Sequence, residues 1–289
     1  LKQQRADGSW TGDTEGRGYA AGTTAMIGLT LFESGVKSDE AVQKAMQFLL
    51  KASPSMTKEI ALQTMFLHTL GKSGAALRRR NLQWLIESQI KEGSDAGGWG
   101  YQRDPVGARA DGANSAYAIL ALTTVASRIE SNPDAIPDEV WQRSLDWLLS
   151  MQRQDGSWGY TSRGGQTSGT MTACGLAGLK GLKERVEANP KVDHAIQKAE
   201  SWLKANWDTK ANPNGSAWPL FYLEWACRAL RNKPLLGERD WYPEVLRTVL
   251  QGQQSDGSIS HSSSKASPII TTAFALEILR SRPVEELSR

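Results

Sequence analysis

The sequence predicts an all-α fold, an (α/α)6 toroid in which six repeated helical hairpins form a double-layered helical barrel. The first observation behind this prediction is the alternation of six apolar stretches with five amphipathic ones along 289 residues. The second is a glycine-rich turn that recurs five times. Four of its copies contain a tryptophan, out of eleven tryptophans in the chain. A repeat of about 48 residues is typical of stacked helical hairpins.

Six stretches rich in small apolar residues predict the inner helices of the barrel. They are apolar on nearly every face, and a helix of that kind is normally buried inside a larger assembly. The inner stretches are residues 23–35, 59–71, 114–125, 170–182, 219–230 and 270–279. If these helices run parallel, they surround a central funnel.

Five more polar stretches predict the outer helices. Their apolar residues recur at i, i+3, i+4 and i+7, which indicates burial of one face only. The outer stretches are residues 39–52, 77–89, 137–152, 192–207 and 240–253. Asp39, Pro137 and Asp240 stand where signals for a helix N-terminus belong.

A glycine-rich turn leads into most of the inner stretches. Its copies are DGSW (7–10), GGWGY (97–101), DGSWGY (155–160), NGSAW (214–218) and SDGSIS (255–260). Glycine adopts positive φ without steric cost, and an Asp cap lets the indole fold back against a helix end. We expect Gln89 and Gln152, which end the preceding helices, to hydrogen-bond to the turn backbone. KASPSMTK (51–58) replaces the turn in the second repeat, so a differently built corner is expected there.

No linker, low-complexity run or composition shift divides the chain, which predicts a single toroid domain over residues 1–289. A sixth outer helix is missing from the series, and the opening LKQQ is similar to the tail of one. We therefore expect the first outer helix, or an upstream segment, to precede Leu1. The absent initiator Met agrees with that expectation. The compartment is left open, with export followed by removal of a leader as one interpretation.

Charge and composition argue against two classes of partner. Lys and Arg number 34 against 31 Asp and Glu, and the charges are scattered, so no basic stripe is available for nucleic acid. No run approaches the roughly 18 apolar residues of a transmembrane segment.

Cysteine and histidine are too few to predict a disulfide framework or a metal site. Cys174 and Cys227 lie on consecutive inner stretches, so a bridge between them is conceivable, although free buried thiols are expected. The three histidines lack ligand spacing. No metal and no cofactor is expected.

The stretch SLDWLLSMQRQDGSW (144–158) resembles the Gln-Trp repeat of the squalene-hopene and oxidosqualene cyclases. Their superfamily also contains the β subunits of protein prenyltransferases. The resemblance recurs in weaker form over nearly the whole chain and implies an α/α toroid throughout. These cyclases carry two such barrels, whereas this chain has material for one.

GGWGYQRDPVGARADGANSAYAILAL (97–122) resembles the cyclase segment in which a Gly-Gly-Trp loop leads into an Asp-x-Asp-Asp motif. In that family the middle Asp protonates the polyene. The motif here is Asp111-Gly112-Ala113-Asn114, so Ala113 stands at the proton-donor position and cannot act as a general acid. Residues Pro219–Phe221 and Thr271-Thr272, at the positions of the prenyltransferase zinc ligands, carry no Asp, Cys or His. The resemblance therefore implies neither protonation-initiated cyclisation nor a catalytic zinc.

Asp111 and Glu224 are the candidate catalytic residues, since carboxyl groups on an apolar funnel wall invite perturbed pKa values. The structural alternatives are a helix N-cap for Asp111 and an ion pair with Arg228, one turn on, for Glu224. The candidate ligand-binding residues are Tyr117, Trp218, Tyr222, Trp225 and His68, with a hydrogen-bonded wall position as the alternative for His68. The other polar residues on or before inner stretches are Asp13, Glu15, Tyr19, Glu59, Asp104 and Glu277.

Three functions remain open. The first is a cyclase-like toroid without protonating chemistry that binds an apolar, isoprenoid-type molecule or a protein partner in its funnel. The second is a carbohydrate-active hydrolase or lyase, which needs two carboxyl groups roughly 5 to 9.5 Å apart. The third is a non-catalytic protein-interaction scaffold.

Overall fold

The structure, a computed structural model, describes residues 3–12, 19–36, 39–103, 107, 109–126, 136–162, 165–215, 217–261 and 266–281. The chain divides into two compact units, the first formed by Leu1–Ser150 with Glu184–Val186 and the second by Met151–Lys183 with Glu187–Arg289. Eleven α-helices lie in the described residues, and each falls on a stretch for which the sequence predicts a helix.

Inner and outer helices alternate along the first unit. They are α1 (Ala20–Glu33), α2 (Glu40–Lys51), α3 (Thr57–Thr69), α4 (Ala75–Ser88), α5 (Gly112–Ala126) and α6 (Asp138–Met151), with a 3-10 turn over Gly71–Gly74 before α4. The inner helices α1, α3 and α5 pack side by side, with α3 in the middle. The outer helices α2 and α4 pack against α1 and α3, respectively.

The second unit repeats this arrangement. Its helices are α7 (Gly169–Lys183), α8 (Pro190–Ala205), α9 (Pro219–Leu230), α10 (Trp241–Gln251) and α11 (Pro268–Arg280). The inner helix α9 packs between α7 and α11, while α8 packs on α7 and α10 contacts both α9 and α11. A two-stranded antiparallel hairpin, β1 (Leu235–Leu236) and β2 (Arg239–Asp240), precedes α10 and was not predicted from the sequence.

Burial separates the two sets of helices as predicted. In α3 every residue except Lys58 and Thr69 is buried, which is the all-round burial of an inner helix. In the outer helix α2 burial is confined to one face, namely Ala41, Val42, Ala45 and Leu49. Asp39 caps α2 as predicted, because its Oδ1 accepts the N–H of Ala41 at 2.7 Å.

Three of the glycine-rich turns close against the next outer helix. Their glycines all have positive φ, and a Cβ at each would lie within 2.4 Å of a backbone carbonyl oxygen. The pairs are Gly8 with Lys44, Gly97 with Arg143 and Gly156 with Lys198, at 2.3, 1.9 and 2.4 Å. Glycine is required here both for backbone conformation and for close approach.

A glutamine fastens each of these turns, as the sequence predicts for Gln89 and Gln152. Each Nε2 donates to the carbonyl of the turn glycine and to a carbonyl near the start of the next outer helix. The acceptors are Gly8 and Ala41 for Gln4, Gly97 and Val140 for Gln89, and Gly156 and Ala195 for Gln152, at 2.7 to 3.2 Å. The glutamine thus joins the end of one hairpin to the beginning of the next.

The tryptophan of each such turn is buried against the following inner helix. Its backbone N–H donates to a hydroxyl on that helix in every case. The pairs are Trp10 with Thr24, Trp99 with Ser115 and Trp158 with Thr172, at 2.8, 2.8 and 3.3 Å. The indoles are at most 2% exposed, so they are part of the core.

The second repeat is built differently, as expected. Pro54 stands in its corner, and Gln63, from the inner helix α3, supplies the glutamine. Its Nε2 donates to the carbonyls of Leu49 and Ala52 at 2.8 and 3.1 Å. Across the described residues, no helix combines the length and apolar character needed to cross a bilayer.

Candidate functional site

The candidate site residues fall into both units. His68, Asp111 and Tyr117 belong to the first unit, whereas Trp218, Tyr222, Glu224 and Trp225 belong to the second. Asp13, Glu15 and Asp104 lie outside the described residues.

Asp111 caps the N-terminus of α5. Its Oδ1 accepts a hydrogen bond from the backbone N–H of Asn114, and its Oδ2 accepts one from the side-chain Nδ2 of Asn114, both at 2.8 Å. Its own N–H donates to the carbonyl of Trp99 at 3.0 Å, which ties the cap to the preceding turn. The side chain is buried. Both carboxylate oxygens thus serve the structure of the helix start.

Ala113 lies on the first turn of α5 and is half-buried. It occupies the position at which the cyclase resemblance places the proton donor. A methyl group has no proton to donate, and the neighbouring Asp111 is held by Asn114.

Glu59 is a buried carboxyl that the sequence does not distinguish from several other polar residues. It lies in the first turn of α3, and its Oε1 accepts the backbone N–H of Gly22, on α1, at 3.1 Å. Burial raises the pKa of Glu59, an effect that the Gly22 hydrogen bond opposes. The adjacent Lys58 places Nζ 4.9 Å from the ring centroid of Tyr117. This end of the first unit therefore combines a buried acid with a cation on an aromatic ring.

His68 lies in the last turn of α3 and is buried. Nine residues separate it from Glu59, which corresponds to about 14 Å along a helix. The two side chains consequently do not form an acid–base pair.

The aromatic candidates of the second unit differ in exposure. Trp218 precedes α9 with φ of 68°, and its side chain is 40% exposed. Tyr222 is fully buried and meets Trp207 edge to face, with ring centroids 6.2 Å apart. Trp225 is buried beneath the guanidinium of Arg228, at 5.7 Å from its ring centroid. Trp218 is thus the accessible member, and ligand binding by the other two would require movement of the side chains.

Glu224 belongs to an ion-pair network on α9 and α11. Its Oε1 accepts Nε and Nη2 of Arg228 at 3.1 and 2.7 Å, the i to i+4 pairing that the sequence offers as the structural alternative. Nη2 of Arg228 also lies 3.5 Å from Oε2 of Glu277. Arg280 completes the network with a 2.9 Å contact to Oε1 of Glu277. Two carboxylates and two guanidinium groups therefore balance in charge.

Glu224 and Glu277 are a candidate pair for glycoside hydrolysis, which needs two carboxyl groups roughly 5 to 9.5 Å apart. Because Oε1 of Glu224 and Oε2 of Glu277 lie 2.7 and 3.5 Å from the same Nη2 atom, they are no more than about 6.2 Å apart. The guanidinium of Arg228, however, lies between them. A glycosidic bond could reach both groups only if Arg228 moved aside.

An aromatic cluster lies on the same two helices. Phe221, on α9, is half-buried and packs on Phe274, on α11, with ring centroids 5.3 Å apart. Phe221 also meets Trp225 edge to face at 6.4 Å. The sequence does not distinguish Phe221 from the apolar residues around it. The cluster leaves part of an aromatic ring accessible on an inner helix.

Cys174 and Cys227 are both buried, and no disulfide joins them. Burial raises the pKa of Cys227, so the thiol stays protonated and is a poor nucleophile. Within the described ranges, no three His, Cys, Asp or Glu side chains group closely enough to hold a metal ion.

The chain is similar in structure to glycoside hydrolases of family 76. Against the GH76A alpha-1,6-mannanase from Salegentibacter sp. HEL1_6 the TM-score is 0.71 at 11% sequence identity, covering 97% of this chain and 94% of that chain. Against a family 76 mannosidase from Bacteroides thetaiotaomicron it is 0.62 at 13% identity, covering 96% and 92%. A variant of the Salegentibacter enzyme was solved in complex with alpha-1,6-mannotriose.

The chain is also similar to the type II terpene cyclase MstE from Scytonema, with a TM-score of 0.62 at 16% identity, covering 96% of this chain and 94% of that chain. No protein-family model and no curated protein matches the sequence. At these identities the likeness establishes the fold alone. Since the neighbours are α/α toroids, the predicted all-α toroid fold is confirmed.

Proposed function

We propose that this chain is a terpene cyclase-like α/α toroid that binds an apolar, isoprenoid-type molecule against its inner helices and does not start cyclisation by protonation. In this proposal residues 1–289 form one domain of the squalene-hopene cyclase superfamily. The observation that carries the absence of protonating chemistry is Ala113 at the donor position, beside an Asp111 whose two oxygens are bound to Asn114.

The aromatic cluster of the second unit supports an apolar ligand. Phe221 is half-buried on α9, with Phe274 and Trp225 behind it. Leu276, on α11, is likewise half-buried. Apolar groups that remain partly exposed gain free energy when a ligand removes them from water, at about 25 cal/mol per Å². Trp218, 40% exposed before α9, extends this apolar surface.

The remaining candidates take supporting positions in this proposal. Trp225 supports the cluster from within the core, and Tyr222 packs on Trp207. In the first unit Lys58 lies over the ring of Tyr117. His68 is a residue of the inner helix α3, on the wall of the proposed funnel. The ligand would be a small molecule, with a protein partner as the other class of occupant.

A carbohydrate-active enzyme is the second candidate. It is favoured by the likeness to the mannanases and by the proximity of two carboxylates, those of Glu224 and Glu277. Arg228 between the carboxylates argues against it, because the substrate bond needs that space. We therefore rank the isoprenoid-type ligand first.

Thermal unfolding with two ligand sets tests the proposal. One set contains squalene and geranylgeraniol, and the other contains alpha-1,6-linked mannose oligosaccharides. A ligand that binds only the native state, present at one hundred times its Kd, stabilises by about 2.7 kcal/mol and raises Tm. We expect the isoprenoids alone to raise Tm.

Two variants locate the site. Phe221→Ala should abolish the isoprenoid shift, while Leu250→Ala, on an outer helix with the side chain 50% exposed, should retain it. A rise with mannose oligosaccharides alone would favour the hydrolase, and a flat response to both sets would overturn the ligand proposal in favour of a scaffold.

A further inference from the structure

The turn before α9 differs from the three turns in which a glycine packs against the next outer helix. Gly8, Gly97 and Gly156 each lie against the carbonyl of a basic residue on the next outer helix. In the turn before α9, Gly215 instead approaches the side chain of Asn212, three residues earlier in the same turn. A surface groove of about 420 Å³ remains between Thr209–Lys210 and α10.

This groove, hereafter the α10 groove, is lined by an excess of cations. Lys210, Arg239 and Arg247 contribute positive charge, and Glu244 is the carboxylate among the lining residues. Oε2 of Glu244 accepts Nη1 of Arg239 at 2.8 Å and the indole N–H of Trp207 at 3.2 Å. Lys210 and Arg247 form no ion pair with any residue of the described ranges. Among the described residues, these two cations therefore have no counterion.

A further carboxylate, which precedes the groove in sequence, is committed to the backbone. Asp208 precedes the groove, and its Oδ1 accepts the N–H groups of Lys210 and Ala211 at 2.7 and 3.2 Å. These bonds fix the backbone that carries Lys210. With Asp208 added to the lining residues, three cations still face two carboxylates.

Hydroxyl groups complete the groove. Oγ1 of Thr248 lies 2.9 Å from Oγ1 of Thr209, to which it donates, and 3.2 Å from the carbonyl oxygen of Glu244. The Thr209 hydroxyl can then donate its own proton to an acceptor in the groove. Unpaired Lys and Arg side chains beside a hydroxyl donor match the oxygens of a phosphate group.

We propose that the α10 groove binds a phosphate-type dianion, held by Lys210 and Arg247 with a hydrogen bond from Thr209. The equivalent corner of the first unit provides the contrast. There the groove of about 400 Å³ contains Pro54, Trp84 and Arg80, while Glu87 is paired with Arg103. Arg80 is the one cation without an ion pair among the described residues that line it, so that groove should not retain the dianion.

Titration calorimetry of the full chain at low salt tests the site with two probes. One is inorganic pyrophosphate, and the other is a suspension of phosphatidylcholine vesicles containing phosphatidic acid. We expect saturable binding that is weakened about tenfold or more by Lys210→Gln with Arg247→Gln, since each lost charge-assisted contact contributes substantially. Arg80→Gln is the matched control and should bind as the unaltered chain does.

The two probes identify the source of the phosphate group. Binding of pyrophosphate indicates a small soluble ligand, and binding of vesicles alone indicates a lipid headgroup. The proposal would be overturned if neither probe bound. It would also be overturned if the double variant bound as tightly as the unaltered chain. Lys210 and Arg247 are exposed, so an unchanged Tm of the double variant will show that it is folded.

Discussion

Oε1 of Glu59, on α3, accepts the backbone N–H of Gly22, on α1, at 3.1 Å. No side chain caps α1 at its own N-cap, Tyr19. The first turn of a helix leaves N–H groups without intrahelical partners. Glu59 therefore caps its neighbouring helix in place of a local residue, which requires a buried carboxyl between two inner helices.

This relationship predicts how stability depends on pH. Burial raises the pKa of Glu59 above its ordinary value of 4.5, so the folded state binds more protons than the unfolded state over the interval between the two values. The contribution of Glu59 to stability is consequently greatest below pH 4.5 and is lost as pH rises through the folded-state pKa.

Glu59→Gln should remove that loss, because the amide oxygen can still accept the Gly22 N–H without a buried charge. We expect the variant to be at least as stable as the unaltered chain at pH 7, with a smaller difference at pH 4, as measured by urea unfolding. Glu238→Gln, at an exposed position, is the control. A variant that is less stable at pH 7 than at pH 4, relative to the unaltered chain, would contradict this account.

The fold follows from the sequence because its signal is local. An inner helix such as α7 is apolar all round and an outer helix such as α2 has one apolar face, so each type is apparent within a dozen residues. The i to i+4 pairing of Glu224 with Arg228 and the cap at Asp111 are local in the same way.

The features that sequence analysis missed depend on tertiary placement. Glu59 and Gly22 are 37 residues apart, and Arg228 meets Glu277 on another helix. Phe221 becomes part of an aromatic cluster only because Phe274, on another helix, packs against it. The α10 groove brings Thr209 and Lys210 together with side chains of α10, which the NGSAW motif does not indicate.

The turn glycines should be irreplaceable where they meet a carbonyl. In Gly97→Ala the new Cβ would lie 1.9 Å from the Arg143 oxygen, at a φ of 98°. Backbone strain and displacement of the outer helix together should cost about 3 kcal/mol or more, measured by urea unfolding.

Gly93→Ala isolates the contribution of backbone strain. Gly93 also has positive φ, 79°, but no neighbouring atom lies within 4 Å of an added Cβ. The free energy of unfolding of Gly93→Ala should be lower than that of the unaltered chain by about 1 to 2 kcal/mol. Equal losses in the two variants would show that the approach to Arg143 does not matter.

Asp111 should behave as a helix cap. Asp111→Ala removes the acceptor of the Asn114 N–H and should cost about 1 to 2 kcal/mol. Asp111→Asn keeps one oxygen acceptor and should lose less than half as much. Measurement of urea unfolding for both variants checks this order, and a larger loss for Asn than for Ala would rule out the cap as the main role.

Arg228 should be coupled to Glu224. Arg228→Met removes two hydrogen bonds that Oε1 of Glu224 accepts, and this carboxylate is only 5% exposed. Since Arg228 itself is 31% exposed, the loss should be about 2 kcal/mol, below that for a fully buried pair.

A double-mutant cycle measures this coupling. Once Arg228 has been replaced, Glu224→Gln should restore part of the lost stability, because it removes the buried charge that the first substitution left behind. We expect a coupling free energy of at least about 1 kcal/mol from urea unfolding. Arg280→Met is the control, since Glu277 keeps its contact with Arg228 in that variant. Additive losses for Glu224 and Arg228 would mean that solvent already screens the pair, and that Arg228 is free to move from between the two carboxylates.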